Sequence, residues 1–413
     1  MLKDDIRRLA DNIHKEIIDI RRHLHANPEL SFNEYDTSAF IKDRLDKQGI
    51  PWTSMATTGI VATIEGRSPS QKTLMLRADM DALPITETSG RIYASRNPGI
   101  MHACGHDAHM ASLLGTALIL QSIRAAFTGT VKLVFQPGEE ILPGGASLMI
   151  KEGMLKNPSS LITGQHSISP PIIGQHCMPA LDTGKVACRK GPFMASMDEL
   201  RLTVRGKGGH GAMPHRNIDP VLIAAHILVA LQQVVSRMAN PASPTVLSFG
   251  KVIANGAVNV IPDEVHMEGT FRAFDETWRN EAHTRMKSLA EGIAGSMGGA
   301  CDLQITRGYP VLKNEEALTG QVMTFAEEYL GMDNVVQWDL WTAAEDFAYY
   351  SQVTDACFYL LGTGNAQKQT LSSLHASTFD IDEDALALST GLMAYIAVRK
   401  LEAQKGQCPN NDI

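Results

Sequence analysis

The chain has 413 residues, 44% hydrophobic and 20% charged, a composition that is typical of globular proteins and excludes an intrinsically disordered chain. Its length is large for a single hydrophobic core, so we expect two domains. The formal net charge is −8 at pH 7 and the sequence has no basic patch, which argues against nucleic acid or an anionic membrane as a partner.

The N-terminal segment "MLKDDIRRLADNIHKEIIDI" is charged throughout and has helical apolar spacing. It therefore predicts a helix and not a signal peptide. The richest apolar runs, "ASLLGTALILQSI" and "VLIAAHILVALQQVV", are too short and too interrupted to predict membrane spans. The six cysteines form no C-x-x-C pair, so we expect reduced thiols and a cytoplasmic location.

Strands and helices then alternate along the first part of the chain. Strands are predicted in "GIVATIEG", "TLMLRADMD", "GTVKLVFQPGEE" and "SSLITGQHSI", and helices in "HMASLLGTALILQSIRAAF" and "GASLMIKEGML". This alternation of helices with apolar strands indicates an α/β fold with a mostly parallel sheet. Ligands of such sheets bind beyond the carboxyl ends of the strands, where Asp79, Asp81, Glu139, Glu140 and His166 fall.

From about residue 190 the pattern changes. "ELRLTVRG" alternates strictly between apolar and polar residues, and Asp219 followed by Pro220 predicts the start of a helix. The complete predicted order is β-α-β-β-α-β, which is typical of a ferredoxin-like unit with an antiparallel sheet. We therefore predict an inserted domain over residues 189–305. Residues 1–188 and 306–413 would form the other, discontinuous domain, which ends in a helix from about Glu383.

The stretch "MHACGHDAHM", residues 101–110, is dense in potential metal ligands. His102, Cys104 and His106 are two residues apart, so in an extended segment they lie on one side. Thiolate and imidazole together favour borderline-soft divalent ions such as zinc. Taken alone, the stretch is equally compatible with the start of a helix that has a free buried cysteine and solvated histidines.

Other segments strengthen the metal interpretation. Adjacent glutamates such as Glu139 and Glu140 point in different directions, so one can bind a metal while the other accepts a proton; the alternative is a solvated loop pair. His166 and His375 each follow a short apolar segment, and each alone is more often a hydrogen-bonded loop histidine. Because these segments end separate strands that converge on one crevice, their combination favours a metal site.

Six motifs in order, over nearly the whole chain, resemble the M20 metallopeptidase family: "LRADMDALP", "HACGHDAH", "FQPGEE", "GKGGHGAMPH", "NVIPDEV" and "AEDFAYY". They are most similar to its amidohydrolase branch, which includes aminoacylases, hippurate hydrolases and auxin-conjugate hydrolases. The resemblance implies a zinc-peptidase-like catalytic domain, with helices flanking a mostly parallel mixed sheet, and an inserted ferredoxin-like lid or dimerisation domain.

The resemblance also implies two divalent metal ions per subunit, with zinc expected and manganese, cobalt or nickel as alternatives. The implied ligands are Cys104, His106, Glu140, His166 and His375. Cys104 would bridge the ions, of which one would take His106 and His166 and the other Glu140 and His375. Glu139 would be the general acid and base, and Asp81 would orient the site.

The implied reaction is hydrolysis of the amide bond of an N-acyl amino acid or a short peptide by a metal-activated water. His210 and Asn259, both in the inserted domain, would stabilise the oxyanion, and His210 would reach the partner's active site in a homodimer. Arg272 is interpreted equally well as a binder of the substrate carboxylate and as a solvated arginine.

Three other functions stay compatible with the sequence. They are a dipeptidase or carboxypeptidase, a deacetylase of one N-acetylated metabolite, and a non-catalytic metal-binding protein. A protein that only binds metal has no need of Glu139 beside Glu140, which argues against the last. The stretches "GQH", "LHAS" and "FQPGEEILPGG" depart from the usual pattern of the branch, so the substrate is the least determined feature.

Overall fold

A computed structural model describes residues 2–69, 72–155 and 169–403. The chain forms two compact units. The first consists of Met1–Gly191, Lys313–Asp339 and Tyr349–Ile413, and the second of Pro192–Leu312 and Leu340–Ala348. The second unit differs from the predicted insertion, 189–305, in its bounds and in its additional short segment near residue 345.

Helices and strands of the described residues are numbered here in chain order. The helices are α1 (Leu2–Ala26), α2 (Tyr35–Lys47), α3 (His106–Ser122), α4 (Gly145–Lys151), α5 (Pro220–Gln233), α6 (Glu276–Ser296), α7 (Glu316–Leu330), α8 (Ala348–Ser351) and α9 (Asp384–Glu402). The strands are β1 (Trp52–Met55), β2 (Gly59–Glu65), β3 (Thr73–Asp79), β4 (Thr130–Gln136), β5 (Ile172–Asp182), β6 (Val186–Cys188), β7 (Gly191–Met194), β8 (Asp198–Arg205), β9 (Gly209–His210), β10 (Thr245–Ile253), β11 (Val260–Ile261), β12 (Glu264–Ala273), β13 (Ala300–Arg307), β14 (Leu312–Asn314), β15 (Val335–Gln337) and β16 (Ala356–Gly364).

The first unit is built on a mixed sheet with the strand order β1-β2-β4-β3-β5-β16-β6-β15. Its central pairs β4/β3, β3/β5 and β5/β16 are parallel, as is β6/β15. The pairs β1/β2, β2/β4 and β16/β6 are antiparallel. The predicted α/β fold with a mostly parallel mixed sheet is therefore confirmed. The strand predicted in "SSLITGQHSI", residues 159–168, lies outside the described residues.

Helices α1, α3 and α9 pack against one another beside this sheet. Helix α3 is buried around nearly its whole circumference, which agrees with its largely apolar sequence. The three helices approach closely at Gly115. A Cβ atom there would lie 2.7 Å from Thr390 Cγ2 on α9 and 2.8 Å from Ile17 Cδ1 on α1, so any larger residue would push the helices apart.

The register of the central strands determines which side chains meet at their carboxyl ends. Asp79, the last residue of β3, pairs with Gln136, the last residue of β4, and Glu139 and Glu140 follow shortly after. On its other side β3 pairs with β5 up to Arg77 opposite Gly174. Two residues further along the same register, His176 of β5 is level with Asp79. The carboxyl ends of β3 and β4 and the middle of the longer strand β5 thus bring acidic and histidine side chains together.

The second unit contains a four-stranded antiparallel sheet with the order β10-β12-β8-β13. Along the chain its main elements are β8, α5, β10, β12, α6 and β13. The inward-facing Leu200, Leu202 and Val204 of β8 pack against residues of both helices, because alternate residues of a strand face the same side. A fully buried ion pair between Asp198 and Arg279 connects β8 to α6, with a 2.6 Å contact.

Candidate metal centre

Three buried side chains of the first unit form one ligand group. Single ligand atoms of Cys104, His106 and His176 all lie within 4.8 Å of one another. Cys104 Sγ is 3.3 Å from His176 Nε2. Between the cysteine and His106, Gly105 has a φ of 88°, a left-handed conformation that glycine adopts without strain, and helix α3 begins directly after it. This turn brings both side chains of the Cys-Gly-His triplet to the same place.

A second group shares the same cysteine. Ligand atoms of Cys104, Glu140 and His375 also lie within 4.8 Å of one another, with 3.5 Å between Glu140 Oε1 and His375 Nε2. His375 has a φ of 63°, which is rare for a residue with a side chain. Its backbone N–H donates to the carbonyl of Ala103 at 2.8 Å. The strained backbone is therefore held directly beside the cysteine that both groups share.

Backbone carbonyls orient the imidazole rings of the first group. His106 Nδ1–H donates to the carbonyl of Asp81 at 2.8 Å, and His176 Nδ1–H donates to the carbonyl of Cys177 at 2.7 Å. Each ring is thereby oriented with Nε2 as the atom that is directed to the ligand group. This arrangement is the usual one for metal-binding histidines, in which the second nitrogen donates to an oxygen.

Two buried atoms of this centre lack a hydrogen-bond partner among the described residues. They are His106 Nε2 and Glu140 Oε1, which are 3.9 Å apart. A buried polar atom without a partner costs about 1–3 kcal/mol. A cation bound between the ligand atoms would satisfy both. The residues present therefore fit a metal ion, and the mixture of thiol, imidazole and carboxylate suits a borderline-soft divalent ion.

The pKa values indicate that the centre favours positive charge. Burial would lower the pKa of His106, but Asp79, Asp81 and Glu140 raise it to about 10. Burial also raises the pKa of Glu140 to about 7, with repulsion from the two aspartates adding to the effect and attraction to His106 opposing it. Several carboxylates thus lie close to His106, and a positive charge among the ligand atoms stabilises their ionised form.

His176 behaves differently, because burial lowers its pKa to about 3. It is therefore a neutral imidazole throughout the physiological pH range. A neutral imidazole is the form that binds a metal ion.

Asp81 connects three parts of the centre. Its Oδ1 and Oδ2 accept from the backbone N–H groups of Glu139 and Glu140, each at 3.0 Å. Oδ2 also accepts from the hydroxyl of Ser31 at 2.6 Å, and the Asp81 carbonyl accepts from His106. One aspartate thereby determines the positions of both glutamates and the orientation of a histidine. These are the contacts expected of an orienting residue.

A second buried carboxylate supports the loop that carries the glutamates. Glu34 Oε1 accepts from Gly138 N–H at 2.8 Å and from Phe32 N–H at 2.9 Å, and Oε2 accepts from the Thr58 hydroxyl at 2.6 Å. Burial raises the pKa of Glu34, and the Thr58 hydrogen bond opposes that shift. The segment before the glutamates is therefore fixed as well as the glutamates themselves.

The remaining histidines of the "MHACGHDAHM" stretch have other roles. His109 uses both ring nitrogens: Nδ1–H donates to Asp79 Oδ1 at 2.6 Å, and Nε2 accepts from Cys177 N–H at 2.8 Å. It connects the end of β3 to the middle of β5 next to His176, and both of its ring nitrogens are occupied by these hydrogen bonds. His102 is fully buried, burial lowers its pKa to about 4, and it belongs to none of the ligand groups.

The structure thus brings together five of the residues singled out from the sequence, namely Cys104, His106, Glu139, Glu140 and His375. His166 lies outside the described residues. His176 was not among the residues predicted from the sequence. A signal for it was present, because both histidines end identical Gly-Gln-His triplets, and only the second follows the apolar run "PPII".

The other predicted site residues belong to the second unit. His210 lies on β9 and pairs with Val260 of β11, and Gly211 N–H donates to the carbonyl of Asn259 at 2.8 Å, so the two predicted oxyanion binders are neighbours. Arg272 lies on β12 and is partly buried, and its Nη1 has no hydrogen-bond partner among the described residues.

Comparison with known proteins identifies the family. The model of peptidase family M20/M25/M40 matches residues 75–399. The chain belongs to peptidase family M20. It is 41% identical over 318 residues to an N-acyl-L-amino acid amidohydrolase of Geobacillus stearothermophilus, an alignment that covers 76% of this chain and 83% of the relative. It is also 37% identical to thermostable carboxypeptidase 2 of Saccharolobus solfataricus, over 96% of this chain and 98% of the relative.

A solved M20 structure has the same fold. The YXEP protein of Bacillus subtilis, described as a dinuclear metal-binding peptidase, is 33% identical and superposes with a TM-score of 0.80, over 95% of this chain and 100% of that one. The family and the enzyme class predicted from the sequence, a metal-dependent hydrolase of amide bonds, are thus confirmed.

We predict that Asp81→Asn lowers the free energy of unfolding of the metal-free M20 enzyme by about 1–3 kcal/mol, because the amide NH₂ group would face one of two buried N–H donors. Urea denaturation of the purified protein measures the change. Asp43→Asn is the control, since Asp43 forms an exposed ion pair with Lys47 worth less than about 1 kcal/mol. Equal effects of the two substitutions would contradict the role given to Asp81.

Proposed function

We propose that this M20 enzyme binds two divalent metal ions and hydrolyses the amide bond of N-acyl amino acids. The observation that carries the proposal is that Cys104 belongs to two separate ligand groups, one with His106 and His176 and the other with Glu140 and His375. A single thiolate shared by two groups is what a pair of neighbouring ions needs. The similarity to an N-acyl-L-amino acid amidohydrolase supports the substrate class.

In this proposal His176 takes the place predicted for His166 from the sequence. The support is its 3.3 Å contact with Cys104 and the orientation of its free nitrogen. We propose zinc as the metal, with manganese, cobalt or nickel as alternatives, because the ligands include thiolate, imidazole and carboxylate. When bound, the ions would polarise the scissile carbonyl and lower the pKa of a water molecule.

Glu139 is the proposed general base and acid. It is 6% exposed, lies with His106 and Glu140 in one cluster, and has its backbone N–H held by Asp81. It accepts a proton from the attacking water and later delivers that proton to the leaving amine nitrogen. Asp81 has the orienting role, because it positions both glutamates by their backbone.

His210, Asn259 and Arg272 are the proposed substrate-binding residues. The first two would donate hydrogen bonds to the oxyanion that develops on the scissile carbonyl. Arg272 would pair with the carboxylate of the amino acid. Its support is the buried Nη1 atom without a partner in the described part of the chain, which a substrate carboxylate would satisfy.

A carboxypeptidase or dipeptidase is the second candidate, favoured by the similarity to thermostable carboxypeptidase 2 along nearly the whole chain. The same metal ligands would serve both reactions, so the two candidates differ only in the acyl part of the substrate. A deacetylase of one N-acetylated metabolite is a narrower form of the first proposal. A protein that only binds metal is a poorer fit, since it has no use for Glu139.

A substrate panel tests the proposal. Purified enzyme is loaded separately with Zn²⁺, Mn²⁺, Co²⁺ and Ni²⁺ and assayed against N-acetyl, N-benzoyl and indole-acyl amino acids and against dipeptides. Faster hydrolysis of the N-acyl amino acids is expected. Turnover of dipeptides alone would favour the second candidate, and turnover of no member would refute the first.

We predict that Glu139→Gln retains both metal ions and lowers kcat by about 10²–10⁴-fold, the usual contribution of general acid–base catalysis. Metal content is measured by mass spectrometry and turnover by amine release. Glu140→Gln is the matched substitution, and it should lower metal content instead. If Glu139→Gln lost metal and Glu140→Gln did not, the roles of the two glutamates would be reversed.

We predict that His176→Ala loses one of the two bound ions, whereas His166→Ala keeps both. The reason is that His176 Nε2 lies beside the shared thiol. The two histidines end identical Gly-Gln-His triplets, so the two variants are well matched. The number of metal ions bound per chain by each variant decides which histidine is a ligand. The opposite result would restore the ligand set expected from the sequence.

We further propose a homodimer formed through the second unit, and a cytoplasmic location, which the five free cysteines of the described residues support. Helix α5 buries Ile223, Ile227 and Leu231 against its own sheet, yet Leu222 and Val229 on its other side are 52% and 75% exposed. By length and composition the helical run Pro220–Met238 could cross a membrane. Because one face packs on the sheet, we assign the exposed apolar face to a protein interface.

The edge strand β10 supports the same interface. Among the described residues it has one neighbouring strand, β12, and it exposes Val252 and Ile253 near its end. Unpaired edges of this kind are commonly covered by pairing with a second chain.

We predict that the dimer shares its active sites through His210 of the partner subunit. Inactive His210→Ala subunits are mixed with inactive Glu139→Gln subunits and allowed to exchange. Each mixed dimer should regain about one working site in two. Mixtures of each variant with itself are the controls, and no recovery after proven exchange would mean that His210 does not act across the dimer.

A further inference from the structure

A buried arginine of α1 contacts acidic residues from two distant parts of the chain. Arg21 is 0% exposed. Its Nε donates to Asp107 Oδ2 at 2.7 Å, and its Nη2 donates to Asp380 Oδ1 at 2.8 Å. Its Nη1 also lies 3.4 Å from Glu383 Oε1, directly before α9.

Both strong contacts lead to segments that carry proposed metal ligands. Asp107 directly follows His106 in the first turn of α3. Asp380 lies on the segment that leads from His375 to α9. A single guanidinium therefore connects the segment of Cys104 and His106 to the segment of His375, and none of the ligands contacts Arg21 itself in the described structure.

The chemistry of this contact is specific to arginine. The guanidinium is planar and presents several N–H donors in fixed directions, so it can pair with two carboxylates at once. Arg21 and Asp107 form a fully buried ion pair, and such a pair depends strongly on both partners, because loss of one leaves the other without compensation.

Other partners of Asp380 do not replace this connection. Tyr93 donates its hydroxyl to Asp380 Oδ2 at 2.9 Å, and Arg91 Nε lies 2.8 Å from the same oxygen. Both belong to a loop that carries none of the proposed ligands. This loop reaches Asp107 of α3 only indirectly, through Glu87 and His25, whereas Arg21 contacts both acids itself.

His375 is the ligand most dependent on its segment. The rings of His106 and His176 each donate to a backbone carbonyl, whereas the His375 ring has no hydrogen bond of this kind in the described structure and its side chain is 53% exposed. Its position rests on a left-handed backbone and on the N–H bond to Ala103. A shift between α3 and the segment after His375 would therefore displace this ligand first.

We propose that Arg21 is a positioning residue that holds His375 at the distance from Cys104 needed to bind the ion shared with Glu140. This inference rests on the proposed two-ion site. It concerns the residue that sets the spacing of the ligands and not the ligands themselves.

The test compares Arg21→Lys with Arg22→Lys. Arg22 is the matched control, because it is the next residue of α1 and pairs with Glu383 but reaches neither Asp107 nor Asp380. Metal-free proteins are titrated with Co²⁺, and bound cobalt per chain is measured by mass spectrometry and by its absorption spectrum. Circular dichroism shows that each variant is folded.

Wild type and Arg22→Lys are expected to bind two Co²⁺ ions per chain. Arg21→Lys is expected to bind one ion normally and the second at least about tenfold more weakly, because lysine cannot pair with both acids. Added Co²⁺ should then restore part of its kcat with little change in KM. Two ions bound with unchanged affinity, or an equal weakening of both, would overturn the proposal.

Asp380→Asn provides a second variant if Arg21→Lys does not fold. It keeps the shape of the side chain and removes the charge that Arg21 pairs with, so it should also weaken only the second ion. Unchanged binding of both ions by Asp380→Asn would overturn the proposal. A wild type that binds two ions but hydrolyses no substrate of the panel would refute the proposed reaction, while the cobalt comparison would still decide the role of Arg21. A wild type that binds fewer than two ions would refute both.

Discussion

The carboxylate of Asp81 is the contact on which the geometry of the centre depends. The two carboxylate oxygens accept hydrogen bonds from the backbone N–H groups of Glu139 and Glu140. The backbone carbonyl of Asp81 accepts a hydrogen bond from the ring of His106. Two neighbouring glutamates with different proposed roles need a defined backbone conformation, because a shift of the loop by one residue would exchange the positions of their side chains. Since Asp81 lies two residues beyond the end of β3, its position is fixed by the sheet.

Charge balance explains why so many acids tolerate burial here. Asp79 accepts from Arg77 at 2.6 Å and from His109, and Asp107 is paired with Arg21. Each of these carboxylates has a permanent cation or a histidine as partner. Glu140 is approached by two histidines at the longer distances of 3.9 and 3.5 Å, and burial raises its pKa to about 7. This less compensated acid is a proposed metal ligand.

Much of the fold and part of the centre could be predicted from the sequence. Alternation of apolar strands and helices was sufficient for the α/β sheet, and the Cys-Gly-His and Glu-Glu pairs were found because their members are close in sequence. His176 was missed because two Gly-Gln-His triplets end comparable segments, and only the register of β5 against β3 places one of them level with Asp79. The residues of a segment do not by themselves determine its register against the neighbouring strand.

Arg21 illustrates a different limit. It lies on the buried face of α1 with Ile17, Ile20 and Leu24, so the helical spacing alone marks it as an arginine on an apolar face. That pattern indicates a buried partner but not its identity. The partners lie 86 and 359 residues further along the chain, and only the packed structure brings them together.

The order of the ligands along the chain has a consequence for how the enzyme matures. Cys104 and His375 are separated by most of the polypeptide, so the shared thiol cannot have its complete set of neighbours until the C-terminal part has been synthesised and has folded onto α3. A nascent chain can offer only the incomplete group of Cys104, His106 and His176. For the proposed two-ion site, acquisition of the second ion is therefore expected to be a late, post-translational event.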